Sequence, residues 1–156
     1  MNGSIRKINK SFTGKVLKEE RILAIDYGEK RIGFAITDPL NMFGYPLATF
    51  LNDKKFWNEL SKIISDYSVV KIILGYPLKE SGSESTTSKA VLKFKEEMEK
   101  RTTVPVELVD ERYSSSIAID RIILSVSSKK KRRDKSLVDK NAAAVMLEDY
   151  LNSIKK

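Results

Sequence analysis

The chain has 156 residues, 41% of them hydrophobic and 32% charged, with a formal net charge of +8; that is the size of a single domain with one sizeable core. It contains no Cys and no His, which excludes disulfides, thiolate zinc sites, cysteine nucleophiles, every Ser-His-Asp arrangement and every imidazole metal ligand, and fits a cytoplasmic address. No apolar run reaches the ~18 residues of a membrane span and no secretory pattern opens the chain, so a soluble protein is expected.

Residues 1–20 lack sustained periodicity and read as a basic, flexible extension ahead of a single domain over 21–156. From Arg21 the pattern tightens. "ILAID" and "IGFAIT" are short β-prone runs joined by the turn-bearing "YGEKR", and "YPLATF" reads as a third strand after the "DPLNMFG" turn. In "NDKKFWNELSKIISDY" the period changes: Phe56, Trp57, Leu60, Ile63, Ile64 and Tyr67 share one helical face, with Asn52 or Asp53 as its cap. "VVKIILGYP" is a nearly continuous apolar run, as in a buried central strand. A second helix follows, with a capping-box spacing at Ser81 and Glu84 and a stripe of Thr87, Val91, Phe94 and Met98. "VELVDE" reads as a strand, and "SSSIAIDRIILSV" and "LVDKNAAAVMLEDYLNSI" as two helices split by a basic loop. Three adjoining strands followed by strands alternating with helices predict an α/β fold with a mixed sheet and parallel crossovers in its later part.

The positive charge is concentrated. Residues 1–18 carry five Lys and Arg and no acid, while "KKKRRDK" at 129–135 carries six bases and one acid. A near-neutral body with two cationic segments suits a polyanion partner; a solvated basic face or a targeting signal is the plainer alternative. Three acids stand where the backbone pattern changes. Asp26 ends the first strand, Asp110 and Glu111 end the last, and Asp139 begins the final helix. Strand ends that share a rim are where sites collect, and the start of a docking helix can reach the same rim. Carboxylates brought together there repel one another unless a hard divalent cation holds them, and such a cation activates water for phosphodiester cleavage without any histidine. Each acid also has a plain reading: a turn opener at Asp26, solvated strand-end charges at Asp110 and Glu111, a first-turn acid at Asp139. Against the last, helical spacing aligns Asp139 with Ala142, Ala143, Met146 and Tyr150, on the stripe that should face the sheet.

Four stretches in order, "RILAIDYGEKRIGFAITDPL", "ILGYPLKESGSES", "VPVELVDERYS" and "KKKRRDKSLVDKNAAAVMLEDYL", resemble the YqgF/RuvX family, described both as Holliday junction resolvases and as pre-16S rRNA nucleases. The resemblance runs from about Arg21 to Leu151. It implies a ribonuclease H-like fold, a five-stranded mixed sheet flanked by helices, with a metal-dependent acidic site. Carried over, the catalytic and metal-binding acids are Asp26, Glu111 and Asp139, with Asp110 as an accessory ligand, and the cofactor is Mg2+ with Mn2+ as substitute. Asn141 and Tyr76 depart from the family pattern, which tends to have an apolar or small residue and Leu there.

Around these acids, Lys30 and Arg31 are phosphate contacts or ordinary turn charges, and Arg112 contacts the scissile phosphate or pairs with Asp110. The loop bearing Lys129, Lys130, Lys131, Arg132, Arg133 and Lys135 is the candidate clamp on a nucleic-acid backbone, with no means of reading bases. The leading expectation is a Mg2+-dependent hydrolase that processes the 5′ end of precursor 16S rRNA in ribosome biogenesis, as a monomer or homodimer and in contact with ribosomal particles. A resolvase acting on four-way DNA is the alternative. A non-catalytic RNA-binding module is a further class, and so is an actin-like ATP-binding protein, because Asp26, Gly28 and Gly33 also have the D-x-G-x-x-x-x-G spacing of a phosphate loop. In either enzyme Gly28 and Gly33 are expected to admit a tight turn and a close phosphate.

Overall fold

The computed structural model describes residues 19–77, 85–110 and 135–155. Five strands form one sheet: β1 (Arg21–Asp26), β2 (Arg31–Thr37), β3 (Gly44–Leu51), β4 (Val69–Tyr76) and β5 (Val106–Asp110). The helices are α1 (Phe56–Asp66), α2 (Thr86–Arg101) and α3 (Lys135–Ile154). The strand order is β3-β2-β1-β4-β5. β1 pairs antiparallel with β2 and parallel with β4, so the sheet is mixed, as the sequence predicted; β1 is its middle strand and β4, read as a buried central strand, lies beside it in the interior. The penultimate predicted helix falls outside the described residues, as do residues 1–18.

Alternation along β1 and β2 divides the core into two layers. Leu23, Ile25, Ile32, Phe34, Ile72 and Leu74 point to the side covered by α1 and α2, where they meet Phe56, Leu60, Val91, Phe94 and Met98. Ile22, Ala24, Ala35 and Ile73 point to the other side, against Ala143, Ala144, Met146, Leu147 and Leu151 of α3. The second layer sets alanines on both partners, Ala24 and Ala35 on the sheet and Ala143 and Ala144 on the helix, which lets the helix backbone lie close to the sheet.

Helix starts differ in detail from the sequence reading. Neither Asn52 nor Asp53 is the N-cap of α1; Lys55 is, without a side-chain cap bond. Asp53 instead sets the turn before it, accepting from Lys55 N through Oδ1 at 2.9 Å and from Phe56 N through its backbone carbonyl at 3.1 Å. Asn52 holds the β1–β2 turn, donating from Nδ2 to the Gly28 carbonyl at 2.9 Å. Ser81 and Glu84 fall outside the described residues, and the capping box of α2 is formed by Ser85 and Ser88. Ser88 rather than the exposed Thr87 heads its buried stripe.

Candidate active site

β1 delivers Asp26 to the C-terminal end of the central strand. Asp26 has the parity of Ile22 and Ala24, which places it on the α3 side of the sheet. Directly opposite it on β2 is Gly33, and opposite Gly33 on β3 is Thr49. This row of three is where α3 lands. Thr49 Oγ1 donates to the Ser136 carbonyl at 2.7 Å. A Cβ on Gly33 would lie 2.3 Å from the Asp139 carbonyl oxygen and 2.9 Å from Lys140 N. Asp139 thus sits directly over the residue paired with Asp26, and strands in a sheet are only about 5 Å apart.

Two sequence expectations are corrected here. Asp139 does not begin the final helix: α3 is already formed at Lys135, Asp139 lies in its second turn, and the first turn contains no acid. A first-turn acid favoured by the helix dipole is therefore not what Asp139 is. Gly33 does not open space for a phosphate, because the space next to its Cα is filled by the backbone of α3. Gly28 does serve the turn: a Cβ there would meet the Arg31 carbonyl oxygen at 2.3 Å. The expectation that Asp139 heads the sheet-facing stripe agrees with the buried Ala142, Ala143 and Met146 that follow it.

Arg31 is the neighbour that the sequence did not link to Asp139. Its Nε donates to Asp139 Oδ2 at 3.0 Å, across a separation of 108 residues, with side-chain exposures of 31% and 25%. It is thus an ion-pair partner of a candidate ligand, and in this arrangement not an ordinary turn charge. Lys30 beside it is exposed at the turn.

Asp110 ends β5, opposite Tyr76. Glu107 and Val109 face the α3 side, where Glu107 Oε1 accepts from Lys71 at 2.8 Å. Asp110 follows in the parity of Val106 and Leu108, which join the other layer. Glu111, Arg112 and Lys129, Lys130, Lys131, Arg132 and Arg133 lie outside the described residues; Lys135 is the exposed first residue of α3. The two departures from the family pattern are local. Asn141 Nδ2 donates to the Leu137 carbonyl at 2.7 Å within α3, and Tyr76 packs partly against the core.

A site for a hard cation needs several oxygen donors. Among the described residues no group of three acids is close enough to hold one. The described residues bring two of the candidate acids, Asp26 and Asp139, to neighbouring positions on one face of the sheet, and oxygen donors of this kind suit a hard cation. Asp26 and Asp110 each have further interactions, so neither stands alone.

Comparison with known proteins settles the lineage. The family model described as RuvX, Holliday junction resolvase, matches residues 20–153. The chain belongs to the RuvX family. A relative from Dictyoglomus turgidum, bearing the name "Putative pre-16S rRNA nuclease", is 38% identical over 137 residues, covering 86% of this chain and 95% of that protein. One of the same name from Azobacteroides pseudotrichonymphae is 41% identical over 140 residues, covering 87% and 99%. Among solved structures, the RuvX chain is similar to the fowlpox virus resolvase in complex with Holliday junction DNA, with a TM-score of 0.52 at 19% identity, covering 87% of this chain and 99% of that one. It is also similar to Thermus thermophilus RuvC in complex with a Holliday junction substrate, with a TM-score of 0.51 at 12% identity, covering 87% and 96%. At such identities the likeness concerns the fold, which is the ribonuclease H-like fold that the four motifs implied.

Proposed function

We propose that this RuvX chain is a metal-dependent nuclease that hydrolyses phosphodiester bonds in structured nucleic acid, and that its substrate is the 5′ end of precursor 16S rRNA. The observation that carries the reading is the docking of the Asp139 backbone on Gly33, the residue paired with Asp26 in the sheet, in a chain of this family. Asp26 and Asp139, with Glu111 as the third ligand, hold Mg2+, for which Mn2+ can substitute; when bound, the metal activates water and stabilises the leaving oxygen. Asp110 is the weaker candidate ligand, given its parity in β5. The rest of the work falls to the chain. α3 fixes the Asp139 backbone against the sheet, and Lys30, Arg112, Lys135 and the bases at 129–133 attract the phosphate backbone without reading sequence. One ribonuclease H-like domain over 21–156, preceded by a basic extension at 1–20, acts in the cytoplasm on ribosomal precursors.

The family model is described as a Holliday junction resolvase, which favours four-way DNA as the second substrate reading. A resolvase acts as a symmetric dimer and makes paired cuts. Cleavage of matched precursor rRNA and four-way DNA under the same Mg2+ conditions decides between them: exclusive cutting of the DNA reverses the ranking. For the site itself, Asp26→Asn is expected to abolish Mg2+-dependent cleavage while nucleic-acid binding stays intact or strengthens. Unchanged cleavage in that variant would sink the assignment.

A further inference from the structure

The carboxylate of Asp139 is held from one side by a cation of the chain itself. Arg31 opens β2 with the parity of Gly33 and Ala35, so its side chain starts on the α3 side of the sheet. From there Nε reaches Asp139 Oδ2 at 3.0 Å, and the pair is partly shielded from water. The backbone beneath is fixed as well, by Thr49 on the Ser136 carbonyl and by the contact of Gly33 with Asp139. The Asp139 backbone is therefore held without Arg31. What Arg31 adds is charge.

We propose that Arg31 is a charge placeholder at the metal site. In the metal-free protein its guanidinium neutralises Asp139; when a divalent cation takes up Asp26 and Asp139, the Arg31–Asp139 contact is given up or shared, at a cost in metal affinity. The inference rests on the reading of Asp26 and Asp139 as metal ligands, and Arg31 acts on that site only through Asp139, by its charge. A positive charge beside a ligand carboxylate opposes a second one, and pairs this exposed are neither fully screened nor fully buried. Removing the charge should therefore tighten divalent binding by roughly three- to tenfold, the upper end corresponding to about 1.4 kcal/mol. It should also remove a pairing that stabilises the metal-free state.

Mn2+ binding to the full chain, read by the electron paramagnetic resonance signal of free Mn2+, tests this without reference to cleavage. The expected results are that the wild type binds Mn2+, that Asp139→Asn weakens it strongly, and that Arg31→Gln binds it three- to tenfold more tightly. Arg31→Gln should also melt lower without metal and gain more in Tm on adding Mn2+ than the wild type does. Arg31→Lys, which keeps the charge, should bind Mn2+ as the wild type does. If Arg31→Gln does not fold, Arg31→Met, which keeps the aliphatic stem, carries the same expectation. Weaker or unchanged Mn2+ binding in Arg31→Gln, with Asp139→Asn still impaired, overturns the placeholder and leaves the metal site standing. So does tightening in Arg31→Lys to the same degree. If the wild type binds no Mn2+, or Asp139→Asn binds it equally well, the metal-site reading fails and this inference fails with it.

Discussion

The most exposing test of how this site is built is Gly33→Ala. Gly33 lies in extended strand backbone, so Ala meets no conformational penalty there and any destabilisation is steric. The added methyl would lie 2.3 Å from the Asp139 carbonyl oxygen, 2.4 Å from its carbon and 2.9 Å from Lys140 N. Carbon and oxygen come to rest at about 3.3 Å, so the second turn of α3 must lift by about 1 Å. Overpacking of this kind costs about 1–3 kcal/mol, and contact with backbone rather than a side chain places this case at the upper end, about 2–3 kcal/mol. In a chain of this size that lowers Tm by about 5–10 °C. Because the residue displaced is Asp139 itself, cleavage should fall about a hundredfold even where the protein remains folded. Gly44→Ala is the matched control. Its methyl would meet Cγ, Cδ2 and Cβ of the buried Leu147 at 3.0–3.2 Å, a few tenths of an ångström too close rather than a full ångström, so the loss should stay at about 1 kcal/mol with cleavage intact. Thermal melts followed by circular dichroism, paired with a cleavage assay, read both effects. A Gly33→Ala protein that melts within about 1 °C of wild type and cleaves as well would refute the docking argument.

Other consequences can be measured independently. Burial pushes the Asp38 carboxyl up, but backbone N–H groups of Phe43, Met42 and Leu40 outweigh this and hold its pKa below the ordinary 3.8. A depressed carboxylate pKa contributes stability above the unfolded value and loses it as pH falls through the folded one, so Asp38→Asn should shrink the gap between urea midpoints at about pH 7 and pH 2.5. An unchanged gap would remove Asp38 from the acid limb. Ser85 accepts from Ser88 N at 3.1 Å in the capping box of α2, and Ser85→Ala should cost about 1 kcal/mol by urea denaturation, with no effect on cleavage. Neutralising Lys130, Lys131 and Arg132 should reduce the salt slope of nucleic-acid binding by about one phosphate per charge removed; an unchanged slope returns the run to an ordinary solvated face.

The strands were legible because each is a short apolar run with its own boundaries, and the two-sided burial of β1 and β4 leaves little else for "ILAID" and "VVKIILG" to be. Asp26 was legible as a candidate because it interrupts an apolar pattern at a strand end, and Asp139 because it precedes the stripe of α3 that faces the sheet. The start of α3 was not, since Lys135 and Ser136 show no apolar period and continue a basic run. The capping box at Ser85 was missed because Ser, in place of the usual Glu or Gln, stands at its third helical position. No local signal ties Arg31 to Asp139 across 108 positions; only the fold does that. One signal was available and unread. Ala24, Gly33 and Ala35 are small residues on one face of adjacent strands, a sign that a helix backbone approaches there.

That face also decides what the hairpin resembles. The D-x-G-x-x-x-x-G spacing of Asp26, Gly28 and Gly33 suits an ATP phosphate loop only if the glycines leave their backbone open to a ligand. Here neither does. The Cβ direction of Gly28 is closed by the Arg31 carbonyl, inside the turn, and that of Gly33 by the Asp139 carbonyl and Lys140 N, from α3. Both glycines are used by the chain itself, one to fold the hairpin and one to seat the Asp139 backbone on the strand beside Asp26. A nucleotide phosphate could occupy the Gly33 position only by lifting α3 off the sheet, which would break the Thr49–Ser136 bond and the Arg31–Asp139 pair together. Titration calorimetry with ATP and Mg2+ should therefore show no heat of binding. Stoichiometric binding that Gly33→Ala abolishes would show that α3 yields to a phosphate, and would return the hairpin to the nucleotide-binding class.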